Sequence, residues 1–471
     1  MRSPGLAVLL FSVLFGACRS HVGFREQYLR TLRPAINTGS WLGVAEALKQ
    51  SRGDIYREED RVMFWLNLGT AYHYADDLAA SSKAFFQAEE TIRELFTKSV
   101  SEEIGRFVAN ETVQTYSGED YERILSYLYT SLNAAQQGRL NDALVEARRA
   151  DAFLRDMRIR EEKGEGSDTP WSRDAFMLWL VGWFLERERS YQDAYLAYQE
   201  SWRAYETIYA PRLRNPPPRW LAEDLVRLAR LTGRGPEAED WMRRTGASGT
   251  SEKHAREGWA EIVIVHANGE APFKQERNFT TVLPDGFLLR VAMPEIVAPS
   301  PPRLSAQLVV DGTTLPAERA EPVAEIALAQ FRAREGALKA RAIARAALKS
   351  TATQATSEAV KSAVREDEDE DEDEDRGRRR RRNQNDGSEL AGALVSLLGG
   401  VASAASEGAD LRSWTLLPYR FDVARMWVRP GRHDVSVELV DAAGRPAGSL
   451  HDTTMNLTPG ARVIVSVRSL R

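Results

Sequence analysis

The sequence has almost no cysteine and little histidine. Cys18 is the only cysteine among 471 residues, so an internal disulfide framework and a cysteine-rich metal site are excluded. The six histidines are scattered and show no paired spacing of the kind that binds zinc. We therefore expect neither a metal site nor a bound cofactor.

A strong excess of one charge and the known catalytic motifs are also missing. The formal net charge is -5, although 28% of the residues are charged, and this balance argues against a nucleic-acid partner. No nucleophile elbow, Walker loop or dinucleotide-binding fingerprint is present. We expect no catalytic residues and a protein that is not an enzyme. The length and the 43% hydrophobic content are sufficient for two or three packed domains.

The N-terminus has the pattern of a lipoprotein signal. Arg2 precedes an apolar stretch over residues 6–15, which is too short to span a membrane, and small residues lead up to Cys18. This predicts a signal peptide over residues 1–17 and an acylated Cys18. Because Arg19 stands where a retention-type aspartate would be, we expect an outer-membrane anchor with the protein facing the periplasm. The alternative is a plain signal peptide with a chance cysteine, and Phe15 is not the usual leucine of the motif.

Residues 18–255 are predicted to form an all-α domain of tetratricopeptide-like helix pairs. Small residues recur at matching places in successive pairs, at Gly69, Ser131 and Gly182. These positions lie 62 and 51 residues apart, more than the roughly 34 of a regular array. Extra segments must therefore separate the pairs, and a generic helical bundle is the alternative.

Aromatic residues crowd this helical region. Most are expected in the core between helices, but a helical array also exposes a concave face that binds peptides. The candidate partner-binding residues on such a groove are Tyr72, Tyr127, Trp179, Trp183, Tyr195 and Tyr198.

The second half is predicted to be a β-sandwich-like domain built from two stretches. Alternating β-branched residues predict short strands in residues 258–318 and again in 413–471. Each half alone has too few strands to bury a face, so we expect one domain with an insertion over 320–411. The overall fold class is therefore a multidomain α+β protein.

The insertion is predicted to be partly helical and partly disordered. A run of acids followed by arginines, residues 366–382, has no apolar side chain to offset the cost of ordering. Cation binding by the acids and phosphate binding by the arginines are alternatives to a simple solvated linker. The small apolar residues of 390–405 are expected to pack within the chain, with a membrane-surface hairpin as the alternative.

Several segments carry a family resemblance. The stretches 95–100, 116–123, 143–149, 264–272 and 411–414 resemble an uncharacterised family of proteobacterial outer-membrane lipoproteins with a tetratricopeptide-like helical domain. That family has no assigned activity. Its members are often encoded near lipoproteins that activate peptidoglycan synthases, so the resemblance implies a role in the cell wall. Residues 366–382 depart from the family pattern.

Three functional hypotheses remain from the sequence. The first is a non-enzymatic scaffold that is held at the membrane by its lipid and binds other envelope proteins in a helical groove. The second is a lipoprotein that binds peptidoglycan or another glycan through exposed aromatic residues. The third is an enzyme whose site is not recognisable in the sequence.

Overall fold

The computed structural model describes residues 22–98, 115–162, 173–282, 288–344 and 409–470. They form a mixed α+β structure with helices in the first half and most strands in the second. Cys18, the charged run 366–382 and the segment 390–405 lie outside the described residues. No helix within the described ranges is long and apolar enough to cross a membrane.

Helices occupy the described chain up to residue 256. Their bounds are α1 Val22–Asn37, α2 Trp41–Gln50, α3 Arg61–Tyr74, α4 Leu78–Lys98, α5 Asp120–Gln136, α6 Leu140–Glu162, α7 Ala175–Arg187, α8 Tyr191–Ala204, α9 Arg219–Leu231, α10 Gly235–Thr245 and α11 Thr250–Arg256. From α3 onward they pack as consecutive antiparallel pairs, α3 with α4, α5 with α6, α7 with α8 and α9 with α10.

The recurring small residues allow the helices within a pair to approach closely. A Cβ atom on Gly69 would lie 2.8 Å from the ring of Phe85, and one on Gly182 would lie 2.5 Å from the ring of Tyr198. Both aromatic residues follow their glycine by sixteen positions. The first and third pairs therefore use the same packing, in which an aromatic ring of the second helix lies on a glycine of the first.

In the described ranges, ten strands form two four-stranded sheets and a separate hairpin. Their bounds are β1 Ala260–Asn268, β2 Phe273–Val282, β3 Leu288–Val297, β4 Ser305–Val310, β5 Thr313–Pro316, β6 Glu318–Glu321, β7 Arg420–Val428, β8 Gly431–Val440, β9 Pro446–Leu457 and β10 Arg462–Ser469. The first sheet has the order β10-β1-β7-β6, and the second has the order β5-β4-β8-β9.

Strands from both ends of the β region pair within the same sheets. In the first sheet β1 is antiparallel to β7 and parallel to β10. In the second sheet β4 is antiparallel to β8. Strands β1, β4 and β6 therefore depend on strands after residue 419 for hydrogen bonds, whereas β2 and β3 pair with each other.

Strand β1 is buried along its whole length because both faces of the first sheet are covered. Ile262 and Ile264 face the second sheet, where Leu308 and Val437 belong to the same apolar core. The alternate residues, such as Val263, belong to the core shared with the helices. This double burial explains why β1 is a nearly continuous apolar run rather than a strict alternation.

The hairpin of β2 and β3 packs beside a further helix, here named α12, whose described part spans residues 323–344. Phe279 and Val291 of the hairpin contact Ala342 and Ile343 of α12. The ammonium group of Lys339 lies 5.1 Å from the centre of the Phe279 ring. The hairpin and α12 together form a wall next to the helical array.

Candidate functional site

The first sheet and the loop before β7 cover one face of the helical array. Trp414, at the centre of that loop, donates its indole N–H to Thr70 of α3 over 2.9 Å. The backbone N–H of Leu416 donates to Asn67 over 3.0 Å, and His73 is 2.8 Å from the hydroxyl of Ser466 on β10. The face on which a peptide groove was expected is therefore filled by the chain's own sheet.

A buried group of six charged residues joins the helices to this sheet. It consists of three arginines and three carboxylates, Arg227, Arg425 and Arg462 with Glu186, Asp224 and Glu261. The residues come from α7, α9, β1, β7 and β10, and each has at most 8% of its side chain exposed. Equal numbers of opposite charges offset the large cost of removing them from water.

Burial alone would raise the pKa of Glu186, but Arg227 and Arg462 outweigh it and lower that pKa to about 2. The pKa of Glu261 is lowered in the same way, since Arg425 and Arg462 overcome the effect of burial. Both carboxylates are thus ionised and structural, which connects the two halves of the protein by charge as well as by apolar contact.

Four of the six candidate groove residues lie in this closed core. Trp179, Trp183, Tyr195 and Tyr198 are each at most 1% exposed. Trp179 donates to Asp224 over 2.9 Å, and Trp183 donates to Glu261 over 3.1 Å. In contrast to the expectation of an open groove, Trp179 and Trp183 contact the arginines of the sheet. Tyr195 and Tyr198 are instead buried between helices, where they donate to Glu237 and Glu186.

The other two candidates are only half-buried. The centre of the Tyr72 ring lies 5.9 Å from the ammonium group of Lys49, and Tyr72 lines neither of the two clefts described next. Tyr127 on α5 lines two neighbouring clefts, the larger of about 820 Å³ and the smaller of about 430 Å³. The structure therefore does not bring the six residues together, and it places one of them on an open surface.

The larger cleft lies between the helical array and the wall formed by α12 and the β2–β3 hairpin. We call it the α6–α12 cleft. The large apolar side chains that line it include Ile92, Phe153, Met157, Ile296, Phe331 and Leu338. All of these except the buried Ile296 are half-buried. A surface of this kind, with apolar side chains that are only partly covered, is where a partner gains most by burying further area.

The inner end of the α6–α12 cleft holds an ion-paired network. Lys274 of β2 lies 2.6 Å from Glu119, and Arg334 of α12 lies 3.2 Å from the same carboxylate and also pairs with Asp120. Burial would raise the pKa of Glu119, but the charges of Lys274 and Arg334 hold it below its ordinary value. This network fixes α12 and the hairpin to the start of α5.

Beneath that network, Glu122 is buried, and no cationic group of the described residues forms an ion pair with it. The Tyr116 hydroxyl donates to it over 2.5 Å, and the backbone N–H groups of Glu119 and Trp414 donate over 2.9 and 2.7 Å. Burial, and then the charge of Glu119, raise the pKa of Glu122. The segment 117–120, which leads into α5, thus also supplies the polar end of the cleft.

The outer part of the cleft carries an excess of positive charge. Cationic side chains outnumber acidic ones along the lining. Arg160 pairs with Asp156 over 2.5 Å, and Arg123 lies 5.8 Å from the centre of the Phe153 ring. Arg341 is exposed and has no ion-pair partner among the described residues. Sequence reasoning missed these residues, because nothing in the chain indicated that α6 and α12 face each other.

One arrangement has the composition of a hydrolytic triad. The hydroxyl of Ser469 is 2.8 Å from Nε2 of His266, and Nδ1 of His266 is 3.8 Å from Asp422. The second distance is too long for a hydrogen bond, and Asp422 accepts from Asn268 and Arg420 instead. All three side chains are at most 6% exposed, and the pKa of His266 is lowered to about 3 by burial and by Arg468 and Arg420. These features fit a structural role at the sheet edge. No group of potential metal ligands occurs in the described ranges.

The sequence matches no protein-family model, and no curated protein is significantly similar. Among solved structures, one of MamA has a TM-score of 0.29 and 12% identity, covering 47% of this chain and 95% of that one. The apo form of RapI gives 0.33 and 12%, with 50% and 73% covered. A tetratricopeptide repeat protein from Parabacteroides merdae gives 0.26 and 13%, with 50% and 85% covered. Each likeness covers about half of the chain, and the helix pairs described above rest on their own geometry.

Proposed function

We propose that this protein is a non-enzymatic adaptor of the cell envelope, held at the outer membrane by a lipid on Cys18, that binds other envelope proteins in the α6–α12 cleft. The observation that carries the proposal is the cleft itself, with half-buried apolar side chains on facing helices and charged groups around them. That distribution is typical of protein interfaces, which have an apolar centre and a polar rim.

The cleft also extends beyond the size of a compact ligand. Glu89, Ser126 and Tyr127 line both the larger cleft and the smaller one, so the two are neighbours along α5. Phe86 and Val145 on the smaller cleft are 51% and 50% exposed. A segment of a partner protein is long enough to cover both surfaces, whereas a small molecule is not.

The lipid anchor makes a modest affinity sufficient. An acylated Cys18 would confine the protein to the membrane surface and raise its effective concentration near other envelope proteins. Replacing Cys18→Ala is expected to abolish labelling with radioactive palmitate in cells that make the full chain. Undiminished labelling of that variant would contradict the anchor.

Site-specific photo-crosslinking in intact cells tests the adaptor proposal. A photoreactive amino acid at Tyr127 or Phe153 is expected to give discrete protein adducts, while the same residue at Arg243, which is 72% exposed and lies away from the cleft, is expected to give none. Purified peptidoglycan sacculi provide the second arm. Sedimentation of the protein with pure sacculi, without protein adducts from the cleft, would favour the glycan hypothesis instead.

A further inference from the structure

The chemistry of the α6–α12 cleft points to a particular kind of partner segment. We propose that the cleft binds an extended acidic peptide that inserts a large apolar side chain between α6 and α12. This inference rests on the proposed function and specifies the partner's chemistry. Three separate features of the cleft carry it. They are its apolar centre, a positive charge with no ion-pair partner in the described ranges, and one buried acceptor with no donor there.

The apolar centre supplies the pocket for a side chain. Phe153 and Met157 stand one helical turn apart on α6, and Phe331 and Leu338 stand two turns apart on α12. All four are half-buried. An inserted leucine or aromatic side chain would complete their burial, and its own removal from water would favour binding.

The unpaired charge lies on the outer side of that centre. At the inner end, Glu119 and Asp120 are already paired with Lys274 and Arg334. That part of the cleft therefore attracts neither positive nor negative groups of a ligand strongly. Arg341 follows Leu338 on α12 by about one turn and has no ion-pair partner among the described residues. A carboxylate close to the inserted apolar side chain would pair with Arg341.

The buried acceptor requires a donor. Gln330 is 1% exposed and lines the cleft, and its amide N–H donates to Asp120 over 2.9 Å. Its Oε1 atom has no hydrogen-bond partner in the described part of the chain. A buried acceptor without a donor is unfavourable, and the backbone N–H of an extended peptide is a donor suited to it.

Fluorescence anisotropy with the purified full chain tests the proposal. The probe is a labelled nonapeptide with a central Leu-Phe pair flanked by glutamates, and its two controls replace either the glutamates by glutamines or the Leu-Phe pair by serines. Only the first peptide is expected to bind with a saturable signal. Its affinity should fall with increasing salt, because the attraction of Arg341 is partly screened.

The matched variants are Arg341→Glu and Arg332→Glu. Both residues are exposed on α12, but Arg332 does not line the cleft. Arg341→Glu is expected to weaken binding of the acidic probe about tenfold or more, whereas Arg332→Glu should leave it unchanged within about twofold. Equal effects of the two substitutions would mean that only the net charge of the protein matters, and would overturn the site.

A deletion variant distinguishes binding of a partner peptide from binding of the chain's own acidic run, since residues 366–375 are also acidic. Deleting 366–382 is expected to leave the affinity for the probe unchanged within about twofold. Binding that appears only after the deletion would assign the cleft to the chain's own acidic run and overturn the proposal. Protein adducts at Tyr127 without any binding of the acidic probe would refute the peptide chemistry and leave the adaptor function standing.

Discussion

Glu261 is the residue whose substitution tests most directly how the two halves of the protein are joined. Its carboxylate accepts from Arg425 over 2.9 Å and from Trp183 over 3.1 Å, and it pairs with Arg462 over 2.5 Å. Glu261→Gln keeps the shape of the side chain and removes its charge. Three buried arginines would then face only Glu186 and Asp224, so we expect the free energy of unfolding to fall by about 3–5 kcal/mol.

Urea denaturation, followed by circular dichroism for the helices and tryptophan fluorescence for the interface, measures this loss. Because helices and the first sheet share one apolar core, we expect both signals to change in a single transition. The matched control is Asp240→Asn, which breaks the exposed pair of Asp240 with Arg243 and should change stability by less than about 0.5 kcal/mol. A loss below about 1 kcal/mol for Glu261→Gln would refute the reasoning.

A double variant distinguishes lost charge balance from lost packing. Adding Arg462→Met to Glu261→Met leaves Arg227 and Arg425 opposite Glu186 and Asp224, so the remaining buried charges are again balanced. We expect the double variant to be more stable than Glu261→Met alone. If the two losses simply add, the charge balance is not what holds this region together.

Further predictions follow from other buried positions. Gly182→Ala should destabilise the protein by about 1–3 kcal/mol, because the new methyl group would clash with the Tyr198 ring. Gly336 has open space around it, so Gly336→Ala should stabilise α12 by about 0.5–1 kcal/mol. Thermal denaturation compares the two variants, and equal effects would contradict the close packing at Gly182. Burial raises the pKa of Asp174 from an ordinary 3.8 to about 7 in the folded state. Between these two pH values the folded state keeps a proton on Asp174 that the unfolded state has released. The free energy of unfolding should therefore fall by roughly 4 kcal/mol as the pH rises from about 4 to 7. In Asp174→Asn, urea midpoints measured across that range should lack this decrease. Residues 413–471 expressed alone should be unfolded and give narrowly dispersed amide proton chemical shifts by NMR, because their partner strands lie before residue 322. Widely dispersed amide shifts would refute this.

Glu186 has the opposite effect on the pH dependence of stability, because its pKa is lowered in the folded protein. The pKa of Glu186 is about 2 in the folded protein against an ordinary 4.5, so the unfolded state takes up the proton first as the pH falls. The stability that Glu186 contributes is complete above about pH 5 and is lost as the pH falls towards 2. Acid titration of the urea midpoint should show this loss, and it should be smaller in Arg227→Met, which lacks one of the cations responsible.

The sequence was sufficient for the local structure. Recurring small residues at Gly69 and Gly182 predicted helix pairs, and alternating β-branched residues predicted strands on both sides of a helical segment. These predictions succeed because the spacing of residues decides which side chains share a face of one element. The short strands β5 and β6 and the first strand of the hairpin carry no such alternation, since their residues are largely polar or exposed.

Which surfaces stay open was decided only by the tertiary structure. Trp179 and Trp183 have the composition of a binding groove, yet the first sheet lies on them and makes them core. The α6–α12 cleft is built from segments nearly two hundred residues apart, each of which has an ordinary amphipathic pattern. Periodicity along the chain shows that a face is apolar, but the element that covers it is selected by long-range packing, which no local pattern records.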